Sequence, residues 1–139
     1  MGKVVVDFGF RFKDGKIVEV LAKDKEHKEI LEKLISLDEG ASMLGEVALV
    51  PFDSPVNQTG ILFFNTLYDE NACCHLAIGR AFNECIKGYQ NMSDEEIAKV
   101  DLNKSMIHVD FMIGTADLKI TATTYSGKEV VIFKDGTWA

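Results

Sequence analysis

A histidine and an aspartate stand two residues apart in the apolar run Met106 to Ile113, as His108 and Asp110. Side chains alternate between the two faces of a β-strand, so these two share one face while Val109 points to the other. Imidazole and carboxylate are ligands for Zn, Mn and Co, and a strand holds them rigidly. The pair predicts a metal site, and a solvated strand face is the alternative interpretation.

Other ionisable residues occur upstream, where Glu46 begins an apolar run and Glu70 is followed by His75. Alone, a glutamate at a strand edge is usually exposed, and a histidine among small residues is usually hydrogen-bonded in a core. Cys74 beside His75 suggests a thiol protease, but neighbours in a strand face opposite ways and no local signature accompanies them. We therefore interpret Cys74 as a buried structural cysteine.

The first part of the chain predicts a hairpin and then a helix. Apolar residues alternate from Val4 to Phe12 and again from Val18 to Ala22, with Asp14-Gly15 between them as a tight turn. From Lys25 the period becomes helical, and one apolar stripe is formed by Ile30, Leu31, Leu34 and Ile35.

The rest of the chain predicts strands and one further helix. Glu46 to Pro51 is typical of a short strand, and the capping-box sequence Ser93-Asp94-Glu95-Glu96 predicts a helix that continues to about Val100. Three later strands are predicted at Met106 to Ile113, Leu118 to Tyr125 and Val130 to Phe133. Regular βα alternation and a phosphate-binding glycine loop are missing, so we expect a single α+β domain over residues 1–139, with a mostly antiparallel sheet, an N-terminal hairpin and two or three short helices.

Composition narrows the classes of partner. The formal net charge of -7 opposes binding to a nucleic acid backbone. Neither an apolar run of roughly 20 residues nor a signal-peptide pattern is present, so we expect no membrane partner and a cytoplasmic location. The three cysteines are an odd number, which fits a reducing compartment.

Four runs of sequence together carry a resemblance to a known family: Leu44 to Pro51, Asp53 to Pro55, Phe64 to Ala72, and His108 to Gly114. They resemble the M29 family of metalloaminopeptidases, the group of aminopeptidase T, AmpS and PepS. Their order and spacing match as well as their residues, and the resemblance extends from the opening hairpin to the last residues.

The resemblance implies removal of N-terminal residues from peptides by a site that holds two divalent metal ions, Zn, Co or Mn. The ions would polarise the scissile carbonyl and activate water, Glu46 would act as general base, and the protein would be a homodimer. The positions that match the family's metal ligands are Glu46, Glu70, His75, His108 and Asp110.

The sequence also departs from the family at two points. One metal-binding glutamate of the family lies upstream of the hairpin, in a segment that this sequence lacks. The family commonly has a tyrosine seven residues after the position of His75, where this chain has Phe82, which has no hydroxyl group to donate. We therefore expect the chain alone to be weakly active or inactive. The alternative is a non-catalytic domain that binds metal or peptides or associates with another subunit.

Overall fold

The computed structural model describes residues 4–139, and the chain divides into two compact units. The first unit combines the described part of Met1–Glu46 with Ala77–Val109, and the second combines Val47–Leu76 with Asp110–Ala139. Each unit is thus built from two separate stretches of the chain. Among the described residues, no helix has the length and apolar character needed to cross a bilayer.

The first unit opens with the predicted hairpin. Strand β1 (Phe8–Lys13) pairs antiparallel with β2 (Lys16–Ala22) across a two-residue turn. Both turn residues have positive φ, 50° at Asp14 and 77° at Gly15. A two-residue hairpin turn needs these values for its twist to match that of the two strands. The hairpin prediction is confirmed, although β1 begins at Phe8 and Val4 lies before it.

A β-bulge changes which residues of the hairpin are buried. Arg11 pairs with Glu19 but Phe12 pairs with Ile17, so Val18 is an extra residue opposite the register shift. Ile17 and Val20 are buried and Val18 is 56% exposed. The simple alternation that placed Val18 and Val20 on one face is therefore wrong at this point, because the bulge reverses it.

Helix α1 (Lys25–Leu34) follows as predicted, with the Asp24 side chain accepting a hydrogen bond from the N–H of His27. A short 3₁₀ helix, Glu39–Ser42, comes next, and the carboxylate of Asp38 caps it. The main-chain N–H of Met106 also donates to Asp38, at 2.8 Å, and this bond is the main reason that the pKa of Asp38 is lowered.

The three strands that carry most of the predicted site form one sheet in the order β3 (Leu44–Ala48), β4 (His75–Gly79), β5 (His108–Met112). Strand β3 begins two residues before the predicted Glu46 and ends at Ala48 instead of Pro51. Strand β4 lies in a stretch whose periodicity predicted neither helix nor strand. It is almost wholly buried, so its residues do not alternate between polar and apolar.

The second unit contains a three-stranded antiparallel sheet of β6 (Ile120–Thr123), β7 (Glu129–Lys134) and β8 (Thr137–Trp138). Phe133 is fully buried in it and its ring packs 4.5 Å from that of Trp138, centroid to centroid. Two one-turn helices, α2 (Pro55–Gln58) and α3 (Thr66–Asp69), precede β4.

Helix α4 (Asp94–Lys99) in the first unit has the predicted capping box, in which Ser93 and Glu96 each bond the other's main-chain N–H. The α+β prediction is confirmed, as are the N-terminal hairpin and the antiparallel pairing. The strands are distributed over three small sheets, and the described residues contain four short α-helices.

Candidate metal centre

His108 and Glu46 form the part of the candidate site that lies in the first unit. The Nε2 atom of His108 is 3.4 Å from Oε2 of Glu46, and both side chains are mostly buried, at 17% and 26% exposure. The other ring nitrogen, Nδ1, is 2.7 Å from the carbonyl oxygen of Arg80. A carbonyl only accepts, so Nδ1 carries a proton, and the neutral ring then has its lone pair on Nε2. That lone pair and a carboxylate together suit a cation.

Two glycines allow the strands around Glu46 to approach closely. A Cβ atom at Gly45 would stand 2.3 Å from the carbonyl oxygen of Gly79. Gly79 itself has a φ of +95°, and a Cβ there would stand 2.2 Å from the carbonyl oxygen of Ile107. Both positions therefore exclude any side chain. This close packing of the main chains fixes where Glu46 and His108 lie along their strands.

Phe82 packs against the His108 ring. Their ring centroids are 4.7 Å apart at an interplanar angle of 57°. The guanidinium group of Arg80 lies 5.4 Å from the centroid of the Phe82 ring on which it stacks. Phe82 thus touches a predicted ligand, and its ring offers neither a donor nor an acceptor of ordinary strength.

His75 and Asp110 form the part of the candidate site that lies in the second unit. His75 is 3% exposed, and one of its ring nitrogens and one carboxylate oxygen of Asp110 lie within 4.8 Å of each other. Nδ1 of His75 is 3.1 Å from the carbonyl oxygen of Cys73. The same reasoning as for His108 therefore places the proton on Nδ1 and the lone pair on Nε2.

The neighbouring cysteines have structural surroundings. The thiol of Cys74 donates to the carbonyl oxygen of Val50 at 3.2 Å, and its sulfur lies 3.4 Å from the N–H of the same residue. Burial raises the pKa of the Cys73 thiol, which disfavours a reactive thiolate. The two Cys74 contacts agree with the interpretation of Cys74 as structural and weigh against a thiol protease.

Glu70 stands apart from the other predicted ligands of its unit. It begins the short 3₁₀ helix Glu70–Ala72, directly after α3, and is half-buried. His75 and Asp110 belong to a group whose ligand atoms lie within 4.8 Å of one another. In the part of the chain that the structure describes, Glu70 is not a member of that group.

Sequence reasoning missed the two main-chain carbonyls, of Arg80 and Cys73, that orient the histidine rings. Carbonyl groups are present in every residue, so no pattern of residue types could have indicated these two. Arg80 as a residue was also missed, although a cation two residues before Phe82 was visible in the sequence.

The sequence matches a known protein family. The model of that family, described as "Thermophilic metalloprotease (M29)", matches residues 1–138. This chain belongs to the M29 family.

Several named M29 relatives are similar to the chain over nearly all of its length. Aminopeptidase AmpS of Bacillus subtilis (strain 168) is 50% identical over 138 residues, and aminopeptidase T of Thermus aquaticus is 44% identical over 137 residues. A solved structure, wild-type AmpT from Thermus thermophilus, has a TM-score of 0.78 and 40% identity over 93% of the chain. The chain spans 33% of the length of the first two relatives and 31% of the solved structure.

Membership of the M29 metalloprotease family implies use of a divalent metal. The donor set fits such an ion, because in each unit a histidine whose main-chain bond leaves Nε2 as the ligand atom lies near a carboxylate, Glu46 in the first unit and Asp110 in the second. Nitrogen and carboxylate donors of this kind suit Zn, Co or Mn.

Proposed function

We propose that this chain is the metal-binding part of an aminopeptidase that removes N-terminal residues from peptides. Its site would hold two divalent ions, Zn, Co or Mn. The observation that carries the proposal is the orientation of the two histidines, each of which bonds a main-chain carbonyl through Nδ1 and so offers Nε2 as a ligand. The proposed ligands are Glu46, Glu70, His75, His108 and Asp110.

Strand periodicity supports treating these residues as one set. His108 and Asp110 are separated by one residue on β5, so their side chains share a face of that strand. Glu46 lies beside His108 within the first unit, and His75 lies near Asp110 within the second. We propose these four and Glu70 as one set of ligands because the resemblance to the M29 family implies it.

Divalent ions bound there would supply Lewis-acid polarisation of a peptide carbonyl and a lowered pKa for water. The imidazole rings of the two histidines would keep a fixed orientation, because hydrogen bonds to main-chain carbonyls hold them. Carboxylates would offset the charge of the ions, and Glu46 would accept the proton of the attacking water as general base. His75 is almost wholly buried, so its own position would be shielded from competing solvent.

Peptides are the proposed substrates because the named relatives are aminopeptidases. We further propose a homodimer in the cytoplasm, with neither nucleic acid nor membrane as a partner. Activity of this chain should be weak, since Phe82 stands where the family commonly has a tyrosine and has no hydroxyl group to donate.

A second candidate function is a non-catalytic domain that binds metal or peptide, or associates with another subunit. Phe82 is the observation that favours it. The ring packs against His108 but cannot donate a hydrogen bond to a reacting carbonyl.

Metal analysis of the purified chain after loading with Zn or Co tests the proposal. We expect stoichiometric metal in the wild type and a loss of at least one equivalent in His75→Ala, with His27→Ala on α1 as a matched control that retains the metal. Chelator-sensitive release of leucine from a leucyl chromogenic substrate then separates the enzyme from the binding domain. Absence of bound metal in the folded wild type would exclude the site.

A further inference from the structure

A cavity in the first unit, distinct from the predicted ligands, opens beside His108. Its volume is about 340 Å³, within the range of sites for small molecules. Apolar side chains from Phe82, Ile97 and Leu102 form part of its lining, and Arg80 and Lys104 bring positive charge to it.

The cavity shares two residues with the surroundings of His108. The Phe82 ring lines the cavity and also packs 4.7 Å from the His108 ring. Arg80 accepts the His108 Nδ1 hydrogen bond through its main-chain oxygen and is also among the residues that line the cavity, with its guanidinium over the Phe82 ring. The Phe82 ring would therefore separate a molecule in the cavity from His108, a proposed metal ligand.

The charged groups of the cavity favour an anion. Arg80 and Lys104 contribute two positive charges, and Glu84 contributes one negative charge. The Arg80 guanidinium is held over the Phe82 ring at 5.4 Å, which limits its rotamers before a ligand arrives. A planar guanidinium matches a carboxylate through two parallel hydrogen bonds.

We propose that this cavity is a substrate subsite in which Arg80 binds a carboxylate of the peptide, with Lys104 as a supporting charge. The inference rests on the proposed function, since it names the substrate class of that site. The carboxylate could belong to the C-terminus of a dipeptide or to an Asp or Glu side chain beyond the scissile bond. Either way, the enzyme would prefer short or acidic peptides to neutral ones.

Peptide binding followed by NMR tests the subsite, with the full chain both metal-loaded and chelator-treated. The probes are Leu-Ala, the C-terminal amide of Leu-Ala, and the C-terminal amide of Leu-Asp. We expect Leu-Ala to bind about tenfold more tightly than its amide, as expected for one charge-assisted pair. Tight binding of the Leu-Asp amide would assign recognition to an acidic side chain, whereas weak binding would assign it to the C-terminus.

Three variants separate the role of Arg80 from general charge effects. Arg80→Gln should remove the discrimination, Arg80→Lys should retain part of it, and Lys87→Gln, which removes a charge outside the cavity lining, should leave it unchanged. Thermal denaturation verifies that each variant is folded. The main-chain bond to His108 survives all three changes, so metal content should be the same in each.

The two proposals fail in different ways. Equal affinity for Leu-Ala and both amides, no detectable binding of any of the three, or discrimination that persists in folded Arg80→Gln would overturn the subsite. Carboxylate discrimination by the chelator-treated protein, in a chain that takes up no metal, would leave the subsite standing and exclude the proposed aminopeptidase.

Discussion

Main-chain carbonyls determine which ring nitrogen each histidine of the candidate centre can offer. His108 and His75 bond the carbonyl oxygens of Arg80 and Cys73 through Nδ1, at 2.7 and 3.1 Å. Two residues in different units therefore have the same tautomer for the same reason. This shared orientation favours metal ligation over an incidental pair of buried histidines, because a ligand must present a fixed lone pair.

At the same scale, Phe82→Tyr should raise turnover. If the family's tyrosine assists at the reacting carbonyl, restoring the hydroxyl supplies a donor to the developing oxyanion, and such donors are worth about two orders of magnitude in kcat. The measurement is kcat on a leucyl chromogenic substrate, with metal content checked in parallel.

Phe63→Tyr is the matched control, because it adds the same hydroxyl group at a different place. Phe63 lies in the second unit, where its ring packs on that of Tyr68. An equal rate in Phe82→Tyr, Phe63→Tyr and the wild type would show that the hydroxyl at position 82 has no catalytic part.

Strand packing around Glu46 depends on glycines that leave no room for a side chain. Gly45 and Gly79 bring the main chains of β3, β4 and the residue before β5 into direct contact within the first unit. The strands can then hold the side chains of Glu46 and His108 in fixed positions, more precisely than loops would.

Substituting Gly79 by alanine should destabilise the fold strongly. The new Cβ would clash with the Ile107 carbonyl oxygen, and a φ of +95° is strained for any other residue. We expect the free energy of unfolding in urea to fall by about 3 kcal/mol or more.

Gly9→Ala is the control for that substitution, because no atom lies within 4 Å of a Cβ built at Gly9 on β1. Similar unfolding midpoints for the two variants would mean that the close approach at Gly79 is not a constraint on stability.

At the scale of the whole molecule, the chain folds into two units and covers part of the length of its relatives. Each unit combines two separate stretches of sequence, and the chain spans 33% of the length of aminopeptidase AmpS. Metal binding requires only the proposed ligands, whereas turnover also benefits from a hydrogen-bond donor to the reacting carbonyl, which Phe82 cannot supply. We therefore expect metal binding to be robust and catalysis to be weak.

Metal binding should stabilise the whole fold. At an ion concentration about 100 times the Kd, linkage adds about 2.7 kcal/mol, which raises Tm by roughly 8 °C for a domain of this size. Differential scanning fluorimetry with Zn or Co, against a chelator, measures the shift. It should be lost in His108→Ala, whose imidazole no longer binds the ion, and retained in His27→Ala. A shift of the same size in His108→Ala would place the stabilising ion elsewhere.

Local patterns in the sequence were sufficient for the hairpin, helix α1 and the capping box of α4. In each case the deciding interaction is between residues close together in the chain, such as the turn at Asp14-Gly15 or the reciprocal bonds of Ser93 and Glu96. The bulge opposite Arg11 and the buried strand β4 were not predicted, because pairing register and complete burial remove the alternation on which such predictions rest.

For the candidate site, the sequence by itself determined the residue types, and the resemblance to the family indicated the proposed ligands Glu46, Glu70, His75, His108 and Asp110. Tertiary structure decided which nitrogen each histidine offers, that Glu46 lies beside His108, and that Glu70 is outside the close group. The physical reason is that these features depend on main-chain oxygens and on strands distant in sequence, which only folding brings to those side chains.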